Sequence, residues 1–238
     1  MVCSSLKHGT TTDRQRRGSS TGTGGETIDQ RPGRSERHLL LAPVVVAALW
    51  RFGVLVVDKW HQPLLFNDSV YYSAQARQLA TGTFFREPFV DRPGAEHGPL
   101  TSTLLAIASW PDDHVPWQRL VTVLTGIATV LVVGLLGRAL GGRRVGLVAA
   151  WIAAVYPNLW MNDGLVMSES ISVLVVSSTL LVAHRVLTDH HAVGADRPRP
   201  VASTVVWLGV LVGLGALARS ELALLAPGLA LLLVAVDP

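Results

Sequence analysis

The chain has 238 residues, 49% hydrophobic and 16% charged, with a mean hydropathy of +0.39. A soluble domain carries about a quarter charged residues. Here the apolar residues fall in blocks near spanning length, which excludes an ordinary soluble domain and points to a multi-pass membrane protein.

Residues 1–37 are rich in Ser, Thr, Gly and Arg and are predicted to be a disordered cytoplasmic tail. They have no apolar core, so they do not read as a signal peptide. The tail supplies part of the net charge of +3. It lacks interleaved aromatics and adjoins an apolar block, so it reads as a positive-inside anchor rather than a nucleic-acid surface. Cys3 is the sole cysteine. That excludes an internal disulfide and a cysteine-based metal site.

Residues 38–236 are predicted to be one all-α transmembrane domain of about six spans. The first runs from His38 to Val57. A polar loop of residues 58–119 follows. The second span covers Leu120–Leu140 and ends in a tight "GGRR" turn, Gly141–Arg144. The third starts at Val145 and ends near Trp160, closed by Pro157. The fourth starts around Gly164 and ends near Leu187. The fifth and sixth are about Thr204–Ala218 and Leu222–Val236.

Basic residues set the orientation. The tail and the gaps 138–144 and 185–199 hold thirteen Lys and Arg, against five in the loop 58–119. The loop is therefore predicted to be extracytoplasmic and the N-terminus cytoplasmic, in a cell membrane.

Two helices too short to span are predicted in this loop. Asn67 or Asp68 caps the first and Gly82 stops it. Tyr72, Ala76, Leu79 and Ala80 share one face, a pattern that suits a helix lying in the interface. The second is Pro99–Trp110, with proline at its first turn. Between them runs the polar stretch "FFREPFVDRPGAEHG".

On this topology the unusual polar residues share one face of the membrane. They are Asp68, Glu96 and His97 in the loop, Asn162, Asp163 and Glu169 before the fourth span, and Arg219 and Glu221 before the sixth. Ionisable residues near span ends are costly in lipid, and their default reading is functional. A plainer role stands beside each. Asp68 and Glu169 can be helix caps, Arg219 can snorkel to headgroups, and His97 can be structural. Tyr71 and Tyr72 read as interface anchors. Arg51 sits in mid-span with no partner that the sequence identifies.

Four stretches, "NDSVYYSAQARQLATGTFF", "PGAEHGPLTSTLLA", "GLLGRALGGRRVGLVAAWIAAVYPNLWMNDGLVMSES" and "LGVLVGLGALARSELALLAPGLALLL", follow one another in a familiar order. From about residue 39 to 235 the chain resembles the N-terminal half of the polyprenyl-phosphate-sugar-dependent glycosyltransferases. The resemblance is to the protein mannosyltransferase and aminoarabinose transferase type, glycosyltransferase family 39, with the GT-C fold. It implies that Asp68 and Tyr72 match the family's acidic first-loop motif, with Ser69 where a second acid often stands. It implies that His97, Gly98, Pro99 and Leu100 match its His-Pro-Pro-Leu stretch. Ser168 and Glu169 match its Ser-Glu, and Leu217, Ala218 and Arg219 its Leu-Thr-Arg.

The implied activity is transfer of a sugar from a polyprenyl-phosphate carrier to a glycan, lipid or protein acceptor at the outer face. Asp68 would be the catalytic base. Tyr72, Glu96, His97, Glu169 and Arg219 would bind substrate, with Arg219 on the lipid phosphate. No cofactor is required by this chemistry, and the sequence leaves a divalent metal undecided. Family members continue beyond six spans, whereas this chain stops at "VAVDP", so a truncated fragment, a split gene product or a short homologue is expected, with part of the lipid and acceptor site missing. The alternatives are a non-catalytic scaffold and a transporter. A transporter needs polar residues near the midplane, and here they cluster at one edge.

Overall fold

A computed structural model describes residues 39–94, 96–191 and 202–236. The predicted tail and the basic segment containing Arg197 and Arg199 lie outside the described residues. Among the described residues the chain is helical, with one isolated bridge between Arg86 and Pro93.

Helix α1 covers Leu41–Val54 and continues as a π-helical turn, Leu55–Lys59. Helices α2 (Asn67–Ala80) and α3 (Pro99–Ala106) occupy the long loop. Helix α4 runs Val115–Val155 and is followed by the short α5, Pro157–Trp160. Then come α6 (Glu169–His191), α7 (Ala202–Ala218), a 3-10 turn at Ser220–Leu224 and α8 (Leu225–Val236). By length and composition, three helices can cross a membrane: Leu41–Lys59, Val115–Val155 and Glu169–Thr188. The apolar helices Ser203–Ala218 and Ser220–Leu232 are shorter.

Helix α4 is a hairpin rather than a rod. A straight helix of its 41 residues would be about 60 Å long, twice the hydrocarbon thickness. Its backbone breaks at Gly141 and at Gly142, where φ is 76°. That left-handed geometry favours glycine, and it reverses the chain. The two arms then pack through small residues. A methyl built on Gly137 would lie 2.9 Å from the Ala149 Cβ, and one on Gly134 3.0 Å from the Ala150 Cβ. Close approach through small side chains is how apolar helices associate in lipid, where burial of hydrocarbon gives no net gain. Helix α1 lies against this hairpin, with Ala47 buried among Val130, Ala150, Ala153 and Ala154.

The loop helices are packed into the protein. Tyr71, Tyr72, Ala76, Leu105 and Val166 form one buried cluster joining α2, α3 and the link before α6. Arg77 fastens the far end of α2. It donates to the carbonyls of Ser109 (2.7 Å), Trp110 (2.7 Å) and Pro111 (2.9 Å) and to Asp112 at 3.0 Å. Helix α3 consequently stops at Ala106 rather than Trp110. Its last turn tightens into i−3 bonds from Ile107, Ala108 and Ser109.

Two further expectations are corrected. Helix α6 begins at Glu169, not around Gly164, because Gly164 (φ 84°) and Val166 (φ 57°) are left-handed and cannot continue a helix. Neither Asn67 nor Asp68 caps α2 through its side chain; Phe66 occupies the N-cap position.

Candidate active site

Asp68, Tyr72, Glu96, His97, Glu169 and Arg219 line one cavity of about 150 Å³, together with Ser168 and Glu221. They come from four separate parts of the chain. Asp68 and Tyr72 are one turn apart on α2. Glu96 and His97 precede α3. Glu169 opens α6, and Arg219 and Glu221 flank the turn after α7.

His97 Nε2 stands 3.6 Å from Asp68 Oδ1. The His97 ring is held edge-on by Tyr71 at 4.6 Å between centroids and lies beside Tyr72 at 5.2 Å. Asp68 is half exposed, so its carboxylate is open to a ligand. With no cap to make, its oxygens are not committed to the helix backbone.

Arg219 joins α7 to α6. Its Nη1 donates to Glu169 Oε1 at 3.3 Å and its Nε to Glu221 Oε1 at 2.7 Å. The Glu221 bond holds the guanidinium above its ordinary range, so it is a permanent cation. No hydrogen bond of Nη2 is seen among the described residues, so it keeps its donors. Arg219 therefore does more than snorkel. Burial raises the Tyr72 phenol above its usual range, against a lowering hydrogen bond with Ser168. Tyr72 is thus a neutral donor at physiological pH. Tyr71 and Tyr72 are both buried, so neither is the surface anchor the sequence suggested.

Gly98 explains how α3 reaches α7. A methyl there would collide with the carbonyls of Ala218 and Leu217. The missing Cβ lets the His97–Pro99 backbone lie against the end of α7, which brings His97 and Arg219 to one cavity.

Sequence reasoning missed several supports. The Tyr71 hydroxyl donates to Glu87 Oε2 at 2.9 Å and accepts the Glu96 amide at 2.8 Å, pinning the loop that carries Glu96 and His97. Ser69, standing where an acid was expected, is buried and donates to the Leu165 carbonyl at 2.7 Å. Arg51 has a partner: its Nε donates to Asp163 Oδ2 at 2.6 Å, with both side chains buried. A mid-span arginine signals such a pairing, but the contact spans 112 residues and is invisible to local pattern. Asn162 is half-buried and donates to the nearby Asn158 carbonyl at 2.6 Å, outside this cavity. Among the described residues no cluster of three or more His, Cys, Asp or Glu is placed to hold a metal ion.

A family model described as dolichyl-phosphate-mannose-protein mannosyltransferase matches residues 112–237. The chain belongs to this family. The matched region holds the α4 hairpin, Glu169 and Arg219, while Asp68 and His97 precede it. No curated protein matches the mannosyltransferase-family chain significantly by sequence. Among solved structures it is similar to the Archaeoglobus fulgidus oligosaccharyltransferase in the apo form. The TM-score is 0.66 at 19% identity, over 82% of this chain and 25% of that one. The same enzyme tethered to an acceptor peptide containing the NVT sequon gives 0.61 at 17%, over 80% and 25%. At these identities the likeness shows the fold, which is GT-C-like as the sequence resemblance implied. The chain spans about a quarter of the length of these structures.

Proposed function

We propose that this chain acts in a membrane glycosyltransferase that moves a sugar from a polyprenyl-phosphate carrier to an acceptor hydroxyl at the extracytoplasmic face. Its core is a six-span domain within residues 38–236, with a cytoplasmic N-terminus and residues 58–119 outside. The basic tail, 1–37, lies on the cytoplasmic side. The observation that carries the function is the single cavity. An open carboxylate, Asp68, and a fixed cation, Arg219, face the same space although they lie far apart in sequence.

Each group then has work in one displacement. The acceptor O–H approaches Asp68, which takes the proton as the oxygen attacks the anomeric carbon. The bond from that carbon to the phosphate oxygen breaks, and the lipid phosphate leaves with the electron pair. Arg219 offers its free Nη2 donors to that phosphate, stabilising the charge that develops there. Tyr72 stays protonated and can donate to a substrate oxygen. Glu96 and His97 bound the acceptor side, with His97 fixing the Asp68 carboxylate. Glu169 holds Arg219 at its depth. The acceptor can be a glycan, a lipid or a protein, and the donor is a lipid-linked sugar.

The test is transfer from a polyprenyl-phosphate sugar donor by Asp68→Asn at matched membrane expression. Loss of the proton acceptor lowers the rate by about 10²–10⁴. Near-normal transfer would remove Asp68 as the base. A carboxylate and a guanidinium facing one space suit group transfer better than a transport path.

A further inference from the structure

The cavity residues rest on a second buried cluster that the displacement itself does not use. Asp163, 3% exposed, is gripped from four directions. Its Oδ2 accepts Arg51 Nε at 2.6 Å, and its Oδ1 accepts Ser170 Oγ at 2.6 Å. Its carbonyl accepts Lys59 Nζ at 2.7 Å. On the fourth side its carboxylate lies against Gly126 of α4, where a methyl would collide with it. Arg51 in turn donates to the carbonyls of Ala154 at 3.0 Å and Ala153 at 3.2 Å, near the end of α4. Asp163 is therefore fixed to α1 and to the first arm of the hairpin directly, and to the second arm through Arg51.

Ser170 is the outlet of that brace. It follows Glu169 directly in the first turn of α6, where the backbone donors have no helical partner and the turn is free to fray. Glu169 lines the outer cavity and also a small inner one shared with Arg51, Asp163 and Ser170. Holding Ser170 fixes the rotation of that turn, hence the direction in which Glu169 reaches Arg219.

We infer that Asp163 is a positioning residue, which, locked by Arg51, holds Ser170 so that the first turn of α6 presents Glu169 to Arg219 in the cavity. Its importance for activity rests on the reading of that cavity as a sugar-transfer site; the placement itself does not. The plain alternative is that Arg51 and Asp163 only stabilise the bundle.

The test uses the full chain in membranes, with Cys3→Ser and Glu169→Cys giving a single thiol in the cavity. Its rate of reaction with a negatively charged thiosulfonate reports the exposure of that turn. Adding Ser170→Ala should change the rate by about fivefold, the factor one ordinary hydrogen bond is worth. Ser170→Thr, which keeps the hydroxyl, should restore it. An unchanged rate in Ser170→Ala would overturn the proposal, as would failure of Ser170→Thr to restore it. With Glu169 intact, Ser170→Ala should lower kcat for sugar transfer, with KM nearly unchanged. A fall in thermal midpoint with kcat intact would leave only the stabilising role. Normal transfer by Glu169→Gln would sink the sugar-transfer role of that pair while leaving the labelling result standing.

Discussion

Arg219 Nη1 reaches Glu169 Oε1 at 3.3 Å across fifty residues of sequence. This contact ties the end of α7 to the start of α6 and sets the rear wall of the cavity. The pair is about a third exposed, so its value lies in placing a cation rather than in stability.

Arg219→Gln should lower transfer by about 10²–10³, the usual cost of removing a donor from a developing anion. Arg219→Lys should recover part of it, because an ammonium keeps the charge but loses the planar fork. Transfer rates at saturating donor decide this, and equal activity of Gln and wild type would rule out Arg219 as the phosphate cation.

Gly98→Val should separate α3 from α7, since even a methyl collides with the Ala218 and Leu217 carbonyls. The chain should still insert, because the long apolar helices are untouched. His97 and Arg219 should no longer share a cavity. Transfer should drop by at least about tenfold, in line with the sensitivity of catalysis to displacements of about 1 Å. Insertion followed by protease protection, beside the transfer rate, provides the check.

Arg51→Leu should destabilise the bundle by about 3–5 kcal/mol, because it leaves the buried Asp163 carboxylate without its partner. The double change Arg51→Leu with Asp163→Leu should recover most of that loss, as apolar replacements of a buried pair commonly do. It should not recover transfer, since Ser170 then has no acceptor. Thermal unfolding in detergent and transfer rates, measured on the same preparations, separate the two effects.

Asp91 is exposed in the long loop, where it pairs with Arg86. In a Cys3→Ser background, Asp91→Cys should react with a membrane-impermeant thiol reagent added outside intact cells. Reaction only after permeabilisation would invert the orientation and put the cavity on the cytoplasmic side.

The sequence by itself determined the membrane class and the order of the helical elements, and it singled out residues that the fold gathers around one cavity. Apolar runs against a bilayer of fixed thickness leave little freedom, and Gly141–Gly142 can be read as a reversal because only glycine enters that backbone region cheaply. Glu169 and Arg219 were legible because charge near a span end is expensive and needs a reason, and Asp68 and His97 through the family motifs they match. The tertiary structure decided what local pattern cannot carry. It chose Asp163 as the partner of Arg51, buried Tyr71 and Tyr72, and delayed the start of α6 to Glu169. It also denied Asp68 a capping role and joined four distant segments around one cavity. These are contacts between residues far apart in sequence, and helical periodicity reports only the face a residue occupies, not what meets it.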